Sequence, residues 1–150
     1  MRRSVALGAL VLLLGAGAVS CATGDASTEA GFGLPTQPPD DPVPGEREEL
    51  RGTLHVEDDG CFTWVAEGGD GASRPWIVWP SGGEHDGDHV TLPDGTSVGQ
   101  GDLLVATGAH VEPEALPDYQ DGGDSYFSSF GGFCGVRHRG VVVLDEVRRG

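Results

Sequence analysis

The chain has no lysine; all nine of its basic residues are arginine, set against 24 aspartates and glutamates. The exclusive use of arginine reads as codon bias of a GC-rich genome, not as a functional device. The balance gives a formal net charge of −15, which becomes −17 once Arg2 and Arg3 are lost with an N-terminal leader. A surface this acidic repels phosphate backbones and anionic head groups, so nucleic acid is excluded as a partner. Long stretches free of glycine and proline are also scarce, because 26 glycines and 10 prolines punctuate the 150 residues. Long helices are thereby disfavoured, and short strands joined by tight turns are favoured. No C-x-x-C, P-loop or dinucleotide fingerprint occurs, so no motif directs the reading toward redox or nucleotide chemistry. The one long apolar run, Val5–Ala18, has 14 residues and is too short for a comfortable membrane span.

What is present begins with that run. Met1-Arg2-Arg3 is a short basic start, Val5–Ala18 is the apolar middle, and Ala18-Val19-Ser20-Cys21 places small residues before a cysteine. Basic, apolar and small-residue regions in this order make a secretory signal peptide. With Cys21 at the cleavage site, the segment resembles the bacterial lipoprotein signal and its lipobox. The resemblance covers residues 1–21 and implies cleavage before Cys21, a diacylglyceryl thioether on its sulfur, and often N-acylation (a palmitoyl-type chain). Two or more acyl chains anchor a protein stably where one is marginal. The implied location is the extracytoplasmic face of the cell membrane, reached through the lipid anchor. Ala18 stands where leucine is commonest in that motif.

Residues 22–45 are rich in Ala, Thr, Gly, Pro and Asp without periodicity. That composition predicts a disordered tether. The expected organisation is therefore a signal peptide over 1–20, a lipidated cysteine and tether over 21–45, and an exported domain over 46–150.

The domain is organised around Cys61–Pro80, which holds all three tryptophans (Trp64, Trp76, Trp79). Before it, Leu50, Gly52, Leu54 and Val56 alternate with polar residues, the period of a strand with one apolar face. Asp58-Asp59-Gly60 reads as a tight hairpin turn. Cys61–Ala66 continues as a strand with Phe62 and Trp64 on one side. Trp76–Trp79 is apolar on both faces and bracketed by Pro75 and Pro80, as a central strand would be. His89–Leu92 and Leu103–His110 are further strands, and residues 111–123 read as an acidic loop. Asp124 is placed to cap a short helix over Ser125–Phe130, and Phe133–Val136 and Val141–Glu146 are expected to close the sheet.

Five to six short strands with one helix predict a mainly β fold, a small, partly closed β-barrel; an open β-sandwich is the alternative. Together with a cysteine after the first hairpin, Trp79-Pro80-Ser81-Gly82 at a strand end and Gly101-Asp102 at a strand start, the order resembles OB-like barrels of small secreted domains in high-GC bacteria.

Four groups of residues are candidates for chemistry. Cys61 and Cys134 remain once Cys21 is acylated, and two cysteines in an exported domain read as one disulfide. Glu84-His85-Asp86-Gly87-Asp88-His89 gathers imidazoles and carboxylates, so His85, Asp86, Asp88 and His89 are weak metal-ligand candidates. Their spacing fits neither a helical zinc pair nor a calcium loop, and the segment reads as a solvated loop. The Trp76–Trp79 strand has two apolar faces, yet a small barrel has one interior. One tryptophan must therefore lie under a cover, and the aromatic segment Tyr119–Phe133 is long enough to provide it. A shallow cleft with Trp76 or Trp79 at its floor and Tyr126 and Phe127 in its wall would suit a neutral or cationic ligand. Ser81, Ser125, His110 and His138 are the residues a hydrolase would draw on, with nothing to fix their geometry. The expected function is a non-enzymatic binding or envelope-interaction module of a lipoprotein. It needs no cofactor, and its partner is an envelope protein or a small neutral ligand. A metal-binding lipoprotein using the 84–89 segment, or a small hydrolase, are the alternatives.

Overall fold

A computed structural model of the chain describes residues 33–150. The signal segment 1–20 and Cys21 lie outside the described residues. Eight strands form: β1 (Glu48–Val56), β2 (Phe62–Ala66), β3 (Trp76–Val78), β4 (Glu84–Asp86), β5 (His89–Thr91), β6 (Ser97–Val98), β7 (Leu103–Val111) and β8 (Val141–Arg149). Two short helices, α1 (Tyr126–Phe133) and α2 (Val136–Arg139), lie between β7 and β8.

Five strands close into a barrel in the order β1-β2-β3-β8-β7, with β7 returning to β1. Counted as barrel strands the order is 1-2-3-5-4, and β3 runs parallel to β8 while the other neighbours are antiparallel. The fold is thus mainly β, a small OB-like barrel. Its longest seam is β7 with β8, paired from Leu104↔Arg149 to Val111↔Val141 with a register shift at Thr107/Gly108. Its weakest seam is β2 with β3, where Thr63↔Trp76 is the one paired position. The strands β4, β5 and β6 make a separate three-stranded sheet inserted between β3 and β7.

Strand β1 serves two neighbours. Its first half pairs with β7 and its second half with β2, overlapping at Gly52 and Thr53. Glycine is required at that overlap. A Cβ on Gly52 would lie 2.4 Å from the Trp64 indole, so the bare backbone is what lets Trp64 fill the barrel. Gly108, at the bulge, is held equally tightly, since its Cβ would meet the Val143 carbonyl oxygen at 2.3 Å.

The alternation of each strand divides the apolar residues into two layers. Leu54, Phe62, Trp64, Ile77, Trp79, Leu104, Val142 and Leu144 fill the barrel interior, extended by Val90, Leu92 and Val98 of the small sheet. Trp76, Val78, Val141 and Val143 project outward and are covered by Phe127, Phe130, Val136, Leu116 and Val43. Strand β3 is therefore buried on both sides, as its composition required.

Several expectations change. The segment Phe133–Val136 is not a strand. α1 runs on to Phe133, Gly135 adopts φ +70°, and a second helical turn follows. The Cys134 bridge holds this region on the outer layer, away from the sheet ladder. The cap of α1 is Ser125, whose hydroxyl accepts from the Ser128 N–H at 3.2 Å, not Asp124. The tether is also shorter than composition predicts, because the chain packs from Leu34 onward. The Trp79 N–H donates to the Pro35 carbonyl at 2.7 Å, and the Gln37 N–H donates to the Trp79 carbonyl at 2.8 Å. Val43 is 1 % exposed. This strap fills the edge of β3 where β2 diverges, so prolines that prevent helix here do not prevent packing.

A polar bolt secures the strap. The Gln37 amide donates to the Leu144 carbonyl and to Asp145, both at 2.7 Å. Arg47 forks onto Asp145 at 2.6 and 3.0 Å and also reaches the Val43 carbonyl. Burial pushes the Asp145 carboxyl up, but the bonds from Arg47 and Gln37 and the Arg47 charge outweigh it and hold the group below the usual carboxylate range.

Candidate functional site

A cleft of about 450 Å³ lies where three pieces meet. One is the tip of the β1–β2 hairpin, Val56–Phe62. The second is the tip of the β4–β5 hairpin, with His85, Gly87 and Asp88. The third is the C-terminal half of α1, with Phe130 and Phe133; Gly33 closes the fourth side. The hairpin tips project because each is a glycine turn, with Gly60 at φ +84° and Gly87 at φ +61°. Val56, Phe62, Phe130 and Phe133 give the cleft an apolar lining, and Glu57, Asp58, Asp59 and Asp88 give it an acidic rim.

The Cys61–Cys134 disulfide forms, with a Cα–Cα separation of 5.7 Å. It joins the start of β2 to the C-terminal cap of α1, so it fixes two of the three walls to each other. Both cysteines are buried, at 1 % and 3 % exposure.

Glu57 stiffens the base of the same hairpin. One oxygen of its carboxylate takes Arg139 at 2.8 Å, Arg74 at 3.3 Å and the Thr63 hydroxyl at 3.1 Å. It thereby ties β1 and β2 to the 67–75 loop and to α2. Asp59 accepts from the Cys61 N–H at 3.1 Å, the side-chain bond that sets the hairpin turn. Across the cleft, Asp88 pairs with His89 Nδ1 at 2.7 Å.

The candidate metal segment is a hairpin and not a loop. In β4 and β5, Asp86 faces His89 across the turn, while His85 faces Val90. Strand alternation therefore puts His85 on the face of the buried Val90, and Asp86 with His89 on the other. Among the described residues, no group of three or more His, Cys, Asp or Glu side chains converges on a common point.

The tryptophans do not floor a cleft. Trp76 and Trp79 are both 0 % exposed, one in each apolar layer. The 119–133 segment does cover the outer one, with Phe127 and Phe130 meeting the Trp76 ring edge-to-face at 6.4 and 5.2 Å. That cover leaves no opening, so Phe127 is core and not a cleft wall. Both indole N–H groups are buried without a hydrogen-bond partner among the described residues. Tyr126 is 43 % exposed, and its hydroxyl donates to the Leu34 carbonyl at 3.1 Å. Burial of that phenol end pushes its pKa up to about 12. Tyr126 is thus a fastener for the strap.

The cleft that does exist was missed because its residues come from three distant stretches. Its one local signal is the acidic Glu57-Asp58-Asp59 run directly after apolar Val56. No family model, no curated protein sequence and no solved structure matches this chain.

Proposed function

We propose that this chain is a membrane-anchored lipoprotein of the extracytoplasmic face whose barrel is a non-enzymatic binding module, with the cleft at the hairpin tips as its binding site. The observation that carries the reading is the cleft itself: about 450 Å³, apolar within and polar at the rim, which falls in the range of small-ligand sites. The walls are pre-positioned by a buried disulfide and by the Glu57 bonds, and preorganised walls cost little to order on binding.

The anchor rests on the order of residues 1–21, and the disulfide suits an oxidising compartment. Thirteen chain steps separate Cys21 from Leu34, a contour of at most about 45 Å. Gly33 lines the cleft, so the anchored chain would keep the cleft close to the bilayer.

Two experiments test the reading. Labelled fatty acid should be incorporated in a bacterial host and lost in Cys21→Ser; unchanged labelling removes the anchor. Amide shifts induced by small apolar ligands should centre on Val56, Phe62 and His85. Shifts centred elsewhere, or turnover of a generic ester panel, would remove the binding-module reading.

A further inference from the structure

We infer that the ligand of this cleft is an organic cation, a quaternary or protonated amine on an apolar body. The inference deepens the binding-site reading above and rests on it. It comes from the charge inventory of the walls. Four carboxylates line the cleft and no arginine does, and the chain has no lysine to offer. The four are not equivalent. Glu57 is 12 % exposed and already balanced by Arg74 and Arg139. Asp88 lies 2.7 Å from His89 Nδ1, a contact between two exposed side chains. Asp59 spends one oxygen on the Cys61 N–H and has no basic partner, and Asp58 has no ion pair among the described residues. The rim thus carries uncompensated negative charge directly over an apolar floor.

Each class of ligand meets that arrangement differently. An anion would bring like charge against the rim, on a protein of net −15. A neutral ligand would use the floor and leave the rim idle. A cation with an apolar body uses both, since its body covers Val56 and Phe62 while its charge sits among Asp58, Asp59 and Asp88. A cation placed over the ring face of Phe62, Phe130 or Phe133, which line the cleft, would gain further attraction. Exposed ion pairs are worth roughly 1.5- to 5-fold in affinity each, so the three aspartates together should be worth about tenfold.

The test uses the exported chain with Cys21→Ser to keep it off the membrane, disulfide intact, at low salt. Three soluble probes of matched size are titrated by NMR: benzyltrimethylammonium, benzyl alcohol and benzenesulfonate. The expected result is tightest binding of the cation, mapped to Val56, Phe62 and His85. Asp58→Asn/Asp59→Asn/Asp88→Asn should weaken it about tenfold without changing the melting temperature by more than a few degrees. Glu48→Gln/Glu112→Gln/Glu146→Gln, an equal change of charge on exposed residues away from the cleft, should weaken it less than twofold. Equal affinity for benzyl alcohol at the same amides, or preference for benzenesulfonate, overturns the cation and leaves the cleft standing. Equal losses in the two triple variants also overturn it, because the attraction then belongs to the net charge. No shifts at those amides with any probe removes the cleft itself.

Discussion

Replacing Cys61 and Cys134 together by alanine should cost this protein a large part of its stability. The bridge spans 73 residues of sequence. In the chain-entropy account, closing a loop of that length removes about 15 cal/mol/K from the unfolded chain, or about 4.4 kcal/mol at 25 °C. A domain of this size has a net stability of roughly 5–15 kcal/mol, so the variant would be marginal. With an unfolding entropy of about 2.1 cal/mol/K per residue over roughly 120 residues, the loss corresponds to a fall in Tm of about 18 °C. The structure adds a local expectation. Cys134 caps α1, and Phe130, one turn earlier, packs on Trp76. Amide exchange should therefore accelerate in α1 before it does in β7 or β8. The assay is a non-reducing thermal melt monitored by circular dichroism, with native-state hydrogen exchange on the same pair of proteins. A fall of less than about 5 °C, or exchange that rises evenly over the whole barrel, would refute the reasoning.

Gly52→Ala should destabilise by about 1–3 kcal/mol in urea, because the new methyl overlaps the Trp64 indole; a neutral effect would mean that the β1 overlap is looser than described. Val43→Ala should cost about 2 kcal/mol through lost burial and the resulting cavity, whereas a true tether would show no change in the same urea titration. Asp145 and Asp102 both have carboxyls held below their ordinary range. For Asp102 the causes are the Arg149 hydrogen bond first and the Gly99 N–H second. Because the folded value lies below the unfolded one, their contribution is complete above about pH 5 and is lost as pH falls through the folded value. Unfolding free energy measured from pH 6 down to pH 2.5 should therefore decline, and less steeply in Asp145→Asn; a stability that holds level or rises over that range would refute the assignment.

The barrel strands were legible because their signals are local. The alternation from Leu50 to Val56 announces β1, and Asp58-Asp59-Gly60 announces the turn after it. The two-sided apolar character of Trp76–Trp79 foretold a strand covered on both faces, and the 119–133 segment as the cover. The disulfide was legible by count, since two cysteines in the expected exported body leave one pairing. The segment Phe133–Val136 was misread because its residues suit a strand by propensity. A helix wins there because the Cys134 bridge and the left-handed Gly135 hold the chain on the outer layer. The strap was misread for the opposite reason: a Pro- and Asp-rich composition has no periodicity, yet Gln37 and Val43 find partners that only the closed barrel supplies.

By itself the sequence determined which residues are apolar, how they alternate, where glycine turns fall, which cysteines can pair, and that the surface is acidic. These are properties of neighbours a few bonds apart, and period-2 alternation commits each side chain to a face before any strand finds its partner. Only the tertiary structure decided which face is interior, that both candidate tryptophans are sealed, and that Tyr126 fastens the strap. It alone brought Val56, His85 and Phe133 to one cleft. Such juxtapositions depend on strand order and barrel closure, which couple residues dozens of positions apart, and no local pattern encodes a distance of that kind.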